Sequence, residues 1–235
     1  MTARPPVRAV LFDFDGTLWD SESAVFEVFR ELYRDFGHEL PLESWASAIG
    51  TLGGFDPYRQ LAELVAGTLD LAAVEGRTEA RIGHATEAVP LRPGVEALLA
   101  EIDDAGLLRG IVSSDTSEWI RTHLRRLGQA DGWAAVSCAD GVKERAKPRP
   151  DLYLDALGIL DISSSEAVAF EDSPNGISAA KAAGIACICV PNALTGVLDV
   201  SHADAQFPTF EGLHLDAVWR ALGDRVAEPH RERSP

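Results

Sequence analysis

The sequence predicts an α/β protein: a Rossmann-like parallel sheet wrapped by helices, with a small all-helical cap domain inserted after the first strand. Three observations predict this. From Pro93 onward, helical and strand periodicities alternate, as in a parallel sheet joined by crossover helices. The candidate strands are short and largely apolar, the pattern of strands covered on both faces. Between the first strand and Pro93 only helical spacing recurs, so the inserted segment is helical.

Residues 7–13 read as the first strand, which ends in an aspartate. Over 22–36 the period changes, with Phe26, Phe29, Tyr33 and Phe36 at helical spacing. Helical stretches follow at LESWASAI (42–49), PYRQLAELVAG (57–67) and 71–89. A helix over 94–105 then precedes the strand LRGIVSS, and a helix over 117–127 precedes WAAVSC. A helix over 151–160 precedes AVAFED, and one over 175–183 precedes ACICVPN. A short strand near ADAQF and a helix over 213–222 complete the pattern. The connections to the insertion fall near Trp19–Ser23 and Val89–Pro93. They divide the chain into a discontinuous core domain, 1–18 and 90–235, and a cap domain, 19–89. The residues up to Pro6 and the tail AEPHRERSP are expected to fray.

With 46% hydrophobic and 25% charged residues, the 235-residue chain has the composition of a globular protein with a sizeable core. Its formal net charge of -16 disfavours nucleic acid and anionic membranes as partners. No basic cluster interrupts that field; Arg121, Arg125 and Arg126 read as the polar face of one helix. An anionic substrate would therefore need a local cation. The start MTARPPVRAV lacks an apolar signal core, and no apolar run reaches the roughly 20 residues that span a bilayer. A cytoplasmic location is expected. Cys138, Cys187 and Cys189 are too few for a disulfide framework and are expected to be buried small hydrophobes. None of the six histidines has metal-ligand spacing.

In open parallel sheets, ligands bind beyond the carboxyl ends of the strands. Four such ends carry chemistry. Asp13 and Asp15 follow the first strand, with Gly16-Thr17 behind them; Ser113, Ser114 and Asp115 follow the second. Lys147 lies in the loop AKPRPD, and Glu171, Asp172 and Ser173 follow AVAF. Carboxylates are rarely buried unpaired, so Asp13 and Asp15 at the end of an apolar strand call for a cation beside them. Three carboxylates with few nitrogen or sulfur donors suit a hard, oxygen-preferring ion such as Mg²⁺. Lys147 supplies a further positive charge, and Ser113 a hydroxyl donor, for a phosphate ester. A carboxylate nucleophile would divide the phosphoryl transfer into two easier steps.

The four segments together resemble the motifs of the haloacid dehalogenase superfamily of phosphohydrolases, in the branch related to beta-phosphoglucomutase and phosphoglycolate phosphatase. The motifs are DFDGTL, then Ser113 in GIVSSDTSEW, then Lys147-Pro148, then EDSPNGISAAKAAG, in the family's order, within a resemblance covering about 7–220. The resemblance implies a small-molecule phosphate ester as substrate and Mg²⁺ as cofactor. It implies that Asp13 is the nucleophile and a metal ligand, and that Asp15 is the general acid and base and ligates through its backbone carbonyl. It further implies that Ser113, Ser114 and Lys147 hold the phosphoryl oxygens, and that Asp172 and Glu171 serve the metal. Gly16 would allow the tight exit from the strand.

Each motif also has a bland reading. Asp115 with Glu118 resembles a capping box, and Asp172 with Ser173 could cap a helix before Pro174. A dehalogenase would lack the second aspartate, so Asp15 argues against one. A phosphosugar mutase is the alternative enzyme. The family's cap histidine position is occupied by Val25, however, and the only lysines are Lys143, Lys147 and Lys181, none in the cap. Arg59, in the cap, is a candidate to bind a second phosphate, so a mutase is disfavoured but not excluded. Trp19, next to the acidic motif, is a candidate border of the leaving-group pocket, and Trp45 reads as cap core.

Overall fold

The structure, a computed structural model, describes residues 6–46, 48–65 and 69–227. Six parallel strands form one sheet: β1 (Ala9–Phe12), β2 (Leu108–Ser113), β3 (Trp133–Cys138), β4 (Ala167–Glu171), β5 (Ala186–Cys189) and β6 (Ala205–Gln206). Their order is β3-β2-β1-β4-β5-β6, so the winding reverses at the β1/β4 boundary. In such sheets the crevice at the reversal is where ligands bind.

Strand alternation sends successive side chains to opposite faces. Phe12 and Phe170 stack on one face, 5.1 Å between centroids, and pack with helices α5 (Val95–Asp104), α6 (Ser117–Arg126) and α9 (Leu215–Leu222). Leu11 and Ala169 face the other way, toward α7 (Asp151–Leu160) and α8 (Pro174–Ala182). Each fully buried phenylalanine contributes roughly 1.5–3 kcal/mol, so the two layers fix the strand ends firmly. Cys138, Cys187 and Cys189 are buried free thiols; Cys187 and Cys189 pack in the second layer.

Between β1 and α5 lie four helices, α1 (Ser21–Asp35), α2 (Leu42–Ala46), α3 (Pro57–Val65) and α4 (Leu71–Glu87). Asp20 caps α1 by accepting from Ser23 N at 3.1 Å. Phe26, Phe29, Tyr33, Leu61 and Ile82 form a separate apolar cluster, and Trp45 packs against Phe26 and Phe29 within it.

Helix α2 is shorter than its apolar spacing predicts. The chain leaves it after Ala46, and the carbonyls of Ile49 and Gly50 accept from Asn175 Nδ2 and Ser114 Oγ instead of continuing a helix. Ser47, in that stretch, and Gly67, at the end of the third helical stretch, lie outside the described residues. At the chain ends, Pro6 pairs with Ala227, and Val7 N donates to Ala227 O at 2.9 Å, so the predicted fraying does not reach these two positions. Residues 1–5 and 228–235 lie outside the described residues.

The two connections are themselves joined. Trp19 pairs with Leu91, and Arg92 N donates to Leu18 O. The Arg92 guanidinium donates to the carbonyls of Gly16, Val190 and Pro191, each at 2.8 Å. Arg126 is not simply part of a polar helix face. It donates to the carbonyls of Glu87 and Val89 and lies 4.6 Å from the Trp19 ring. Among the described residues no helix is long and apolar enough to cross a membrane.

Candidate active site

Asp13 leaves the end of β1, and Glu171 and Asp172 leave the end of β4, on the two strands that flank the reversal. The ammonium of Lys147, fully buried, donates to Asp13 Oδ1 at 2.5 Å and lies 2.7 Å from Glu171 Oε1. Tyr153 OH donates to the same Glu171 oxygen at 2.6 Å. Asp172 is held by Asn192 Nδ2 at 2.8 Å and by a longer bond from the Thr17 hydroxyl. Asp13, Glu171 and Asp172 each offer one oxygen within 4.8 Å of the others. Asp13 Oδ2 and Glu171 Oε2 are buried without a hydrogen-bond partner among the described residues.

The titration shifts expose a shortage of positive charge. Burial works against the Lys147 ammonium, but Asp13 and Glu171 outweigh it and hold its pKa above the usual lysine value. The acids move up as well. Burial raises Glu171, despite Lys147, and burial together with Asp13 and Glu171 raises Asp172 well above the carboxylate range. One ammonium therefore serves three buried carboxylates. A divalent cation among them would restore neutrality, and every available donor is oxygen, as Mg²⁺ prefers.

Two glycines let the acids approach. Gly16 takes φ +87°, and a Cβ there would stand 2.5 Å from Asp172 Oδ2. A Cβ on Gly176 would fall 1.7 Å from Glu171 Oε2.

Asp15 faces a cavity of about 380 Å³ between the strand ends and the helices that follow β1. Its Oδ1 accepts from Ser21 Oγ at 2.8 Å and from Trp119 Nε1 at 3.0 Å, while Oδ2 is buried and unpartnered among the described residues. Burial and the charges of Asp115 and Asp13 push its carboxyl up to about 7, against the opposing hydrogen bonds. Glu22, on α1, also lines the cavity and is pushed to about 8 by burial and by Asp15 and Asp13.

Ser113 lines the cavity, and its Oγ accepts from Asp115 N at 3.0 Å. Ser114 also borders it, but its hydroxyl donates to Gly50 O and accepts from Lys147 N. Beside it, the Thr51 hydroxyl donates to Lys147 O. The loop after α2 is thereby docked on the two segments that carry the serines and the lysine. The cap of α6 is Thr116, which accepts from Trp119 N, rather than Asp115; Ser173 caps α8.

The structure thus brings Asp13, Asp15, Ser113, Ser114, Lys147, Glu171 and Asp172 to one end of the sheet. Trp19 does not border the cavity: it is fully buried, 4.4 Å from the His123 ring, and Trp119 is the indole at the cavity wall. Arg59 also stands apart, exposed on α3 and paired with Glu63. Sequence reasoning missed Glu22, Trp119, Tyr153 and Asn192. Trp119 carried one readable signal, since it falls one helical turn into the segment that follows the Ser113 motif.

The family model of haloacid dehalogenase-like hydrolases matches residues 7–184, and the chain belongs to this hydrolase family. It is 38% identical over 209 residues to YhcW of Bacillus subtilis, provisionally named a phosphatase, covering 89% of this chain and 94% of that protein. It is 33% identical over 185 residues to hexitol phosphatase A of Escherichia coli, covering 78% of this chain and 82% of that one. A crystal structure of a variant of CbbY from Rhodobacter sphaeroides, in complex with xylulose-(1,5)bisphosphate, is similar at a TM-score of 0.69. The identity there is 29%, and the similarity covers 89% of this chain and 98% of CbbY.

Proposed function

We propose that this hydrolase is a magnesium-dependent phosphatase of the cytoplasm that releases inorganic phosphate from a small phosphorylated metabolite through an aspartyl-phosphate on Asp13. One observation carries the reading: Asp13 has one oxygen fixed by a buried lysine and the other unpartnered, among carboxylates short of positive charge. The likeness to named phosphatases supports it. In this reading residues 19–89 are a cap domain over a core of 1–18 and 90–235.

The free Asp13 oxygen attacks phosphorus, and the ester P–O bond breaks with its electron pair going to the leaving oxygen. Asp15 gives that oxygen a proton. It then takes one from the water that attacks the phosphorus of phospho-Asp13, releasing phosphate and restoring the carboxylate. Burial raises the Asp15 carboxyl, which favours the protonated form that the first step needs. Ser21 and Trp119 occupy its Oδ1, which leaves Oδ2 for the proton. Lys147 and the Ser113 hydroxyl hold the phosphoryl oxygens. The Ser114 hydroxyl is committed to Gly50 O, so Ser114 acts there through its backbone N–H. Asp13, Asp172 and the Asp15 carbonyl, supported by Glu171, would hold Mg²⁺. When bound, the ion offsets the charge of the carboxylates and of the phosphate.

The mutase alternative needs a cap cation for a second phosphate. Its candidate, Arg59, faces solvent on α3, which favours hydrolysis. Steady-state phosphate release from an aryl phosphate, with and without Mg²⁺, tests the proposal. Turnover that needs Mg²⁺ and is lost in Asp13→Asn is expected; metal-independent turnover surviving Asp13→Asn refutes it.

A further inference from the structure

The cavity that receives the leaving group has a definite electrostatic character. Its lining includes Asp13, Asp15, Glu22, Glu79 and Asp115 and, among the described residues, no lysine, arginine or histidine. Asp13, 4% exposed and with one buried oxygen unpartnered among the described residues, lines this space together with Asp15, so the cavity is continuous with the site of the chemistry. Lys147 is the cation nearest the chemistry, and it is buried beneath Asp13, engaged by two carboxylates. Lys143 lies against Gly53, 2.6 Å from where a Cβ on that glycine would be, and is not among the lining residues.

A substrate's reacting phosphate meets Lys147 and the oxygen donors of the metal site. Of the two acids on the helices after β1, Glu22 on α1 lies beside Asp15 and Asp13, which leaves Glu79 on α4 to meet whatever lies at the far end, with no counter-charge among the described lining residues. Glu79 receives only a long hydrogen bond, 3.4 Å, from Tyr58 OH. Val25, Leu52, Ile82 and the Trp119 indole supply the apolar part of the wall. Carboxylates accept from hydroxyls, and an indole and aliphatic side chains suit the CH face of a carbon skeleton. A second phosphate or carboxylate placed there would be a like charge in a partly dehydrated site.

Resting on the phosphatase reading, we infer that this chain selects monophosphate esters of uncharged, hydroxyl-bearing alcohols and rejects bisphosphates, with Glu79 as the residue that excludes the second anion. In this it would differ from CbbY, whose structure holds a sugar bisphosphate.

The test measures kcat/KM, with Mg²⁺, for fructose 6-phosphate, fructose 1,6-bisphosphate and phenyl phosphate, in the wild-type chain and Glu79→Lys. Glu79 sits on an exposed helix face, so its replacement spares the core. The wild type should prefer the monophosphate by about tenfold or more, and Glu79→Lys should narrow that ratio about tenfold, mainly through KM of the bisphosphate. A wild type that turns over the bisphosphate equally well or better overturns the inference. So does a ratio that Glu79→Lys leaves unchanged. Failure to release phosphate even from phenyl phosphate would instead sink the phosphatase reading, and the inference with it.

Discussion

On the sheet side of the cavity, Asp13, Glu171 and Asp172 rise from adjacent parallel strands, and each has an oxygen fixed by Lys147, Tyr153, Asn192 or Thr17. On the opposite side, Glu22 has no hydrogen-bond partner among the described residues, and Glu79 has only the long bond from Tyr58. The first wall is anchored in two apolar layers. The second is carried by α1 and α4, around a smaller apolar cluster of their own. The difference suggests a division of labour, with bond-making held on the rigid wall and discrimination left to the softer one.

Four substitutions or conditions probe that division. Asp13→Asn should have the largest effect on rate, a loss on the order of 10⁴–10⁶ in kcat, because an amide cannot form the acyl-phosphate. The fold should persist, since removing one charge relieves repulsion among the acids; a thermal melt beside the assay checks both. Asp15→Asn should cost about 10²–10⁴ in kcat, with aryl phosphates losing less than alkyl phosphates because their leaving groups need less protonation. Equal losses, with phosphorylation shown to be rate-limiting, would contradict the acid role.

Lys147→Gln should act on stability as well as rate. It strands Asp13 and Glu171 without their cation, and breaking a buried pair typically costs about 3–5 kcal/mol. Urea unfolding at neutral pH measures it, and a loss below about 1 kcal/mol would show that the lysine is not the site's structural counter-ion.

The smallest effect is a pH dependence of the metal-free protein. Asp15 and Glu22 bind protons more tightly folded than unfolded, with pKa values raised from 3.8 to about 7 and from 4.5 to about 8. Their favourable contribution is complete below about pH 4 and is lost as pH rises through about 7 to 8, because the folded state then gives up protons it holds more strongly. Stability by urea titration should therefore decline across that window, and Asp15→Asn with Glu22→Gln should flatten the decline. An unchanged slope in the double variant would remove these two groups as its source.

The rigid wall was legible in the sequence and the soft one was not. Asp13, Lys147, Glu171 and Asp172 stand at or beside the ends of short apolar runs, and a parallel sheet gathers such ends at one edge. Asp15 gave its position by the same logic, but its partners Ser21 and Trp119 come from α1 and α6, and only the packing of those helices brings them together. Trp19, closer in sequence, turned inward instead. The docking of the loop after α2 escaped for a different reason: it is made through the carbonyls of Ile49, Gly50 and Lys147, which carry no residue-type signal. Glu22 and Glu79 carry no sequence signal that sets them apart from other helix acids, and only the fold brings both to one cavity.

Turnover by the proposed route requires that a phosphoryl group become attached to Asp13. Asp15→Asn supplies the means to see it, because a variant without its base should hydrolyse the intermediate slowly while still accepting phosphate from an acidic aryl leaving group. Mass spectrometry of the acid-quenched variant, mixed with Mg²⁺ and an aryl phosphate, should find one added phosphoryl group on the peptide containing Asp13, with a matching burst of the aryl alcohol. Turnover with no burst and an unmodified peptide, or a phosphoryl group on any other residue, would contradict the mechanism proposed for this site.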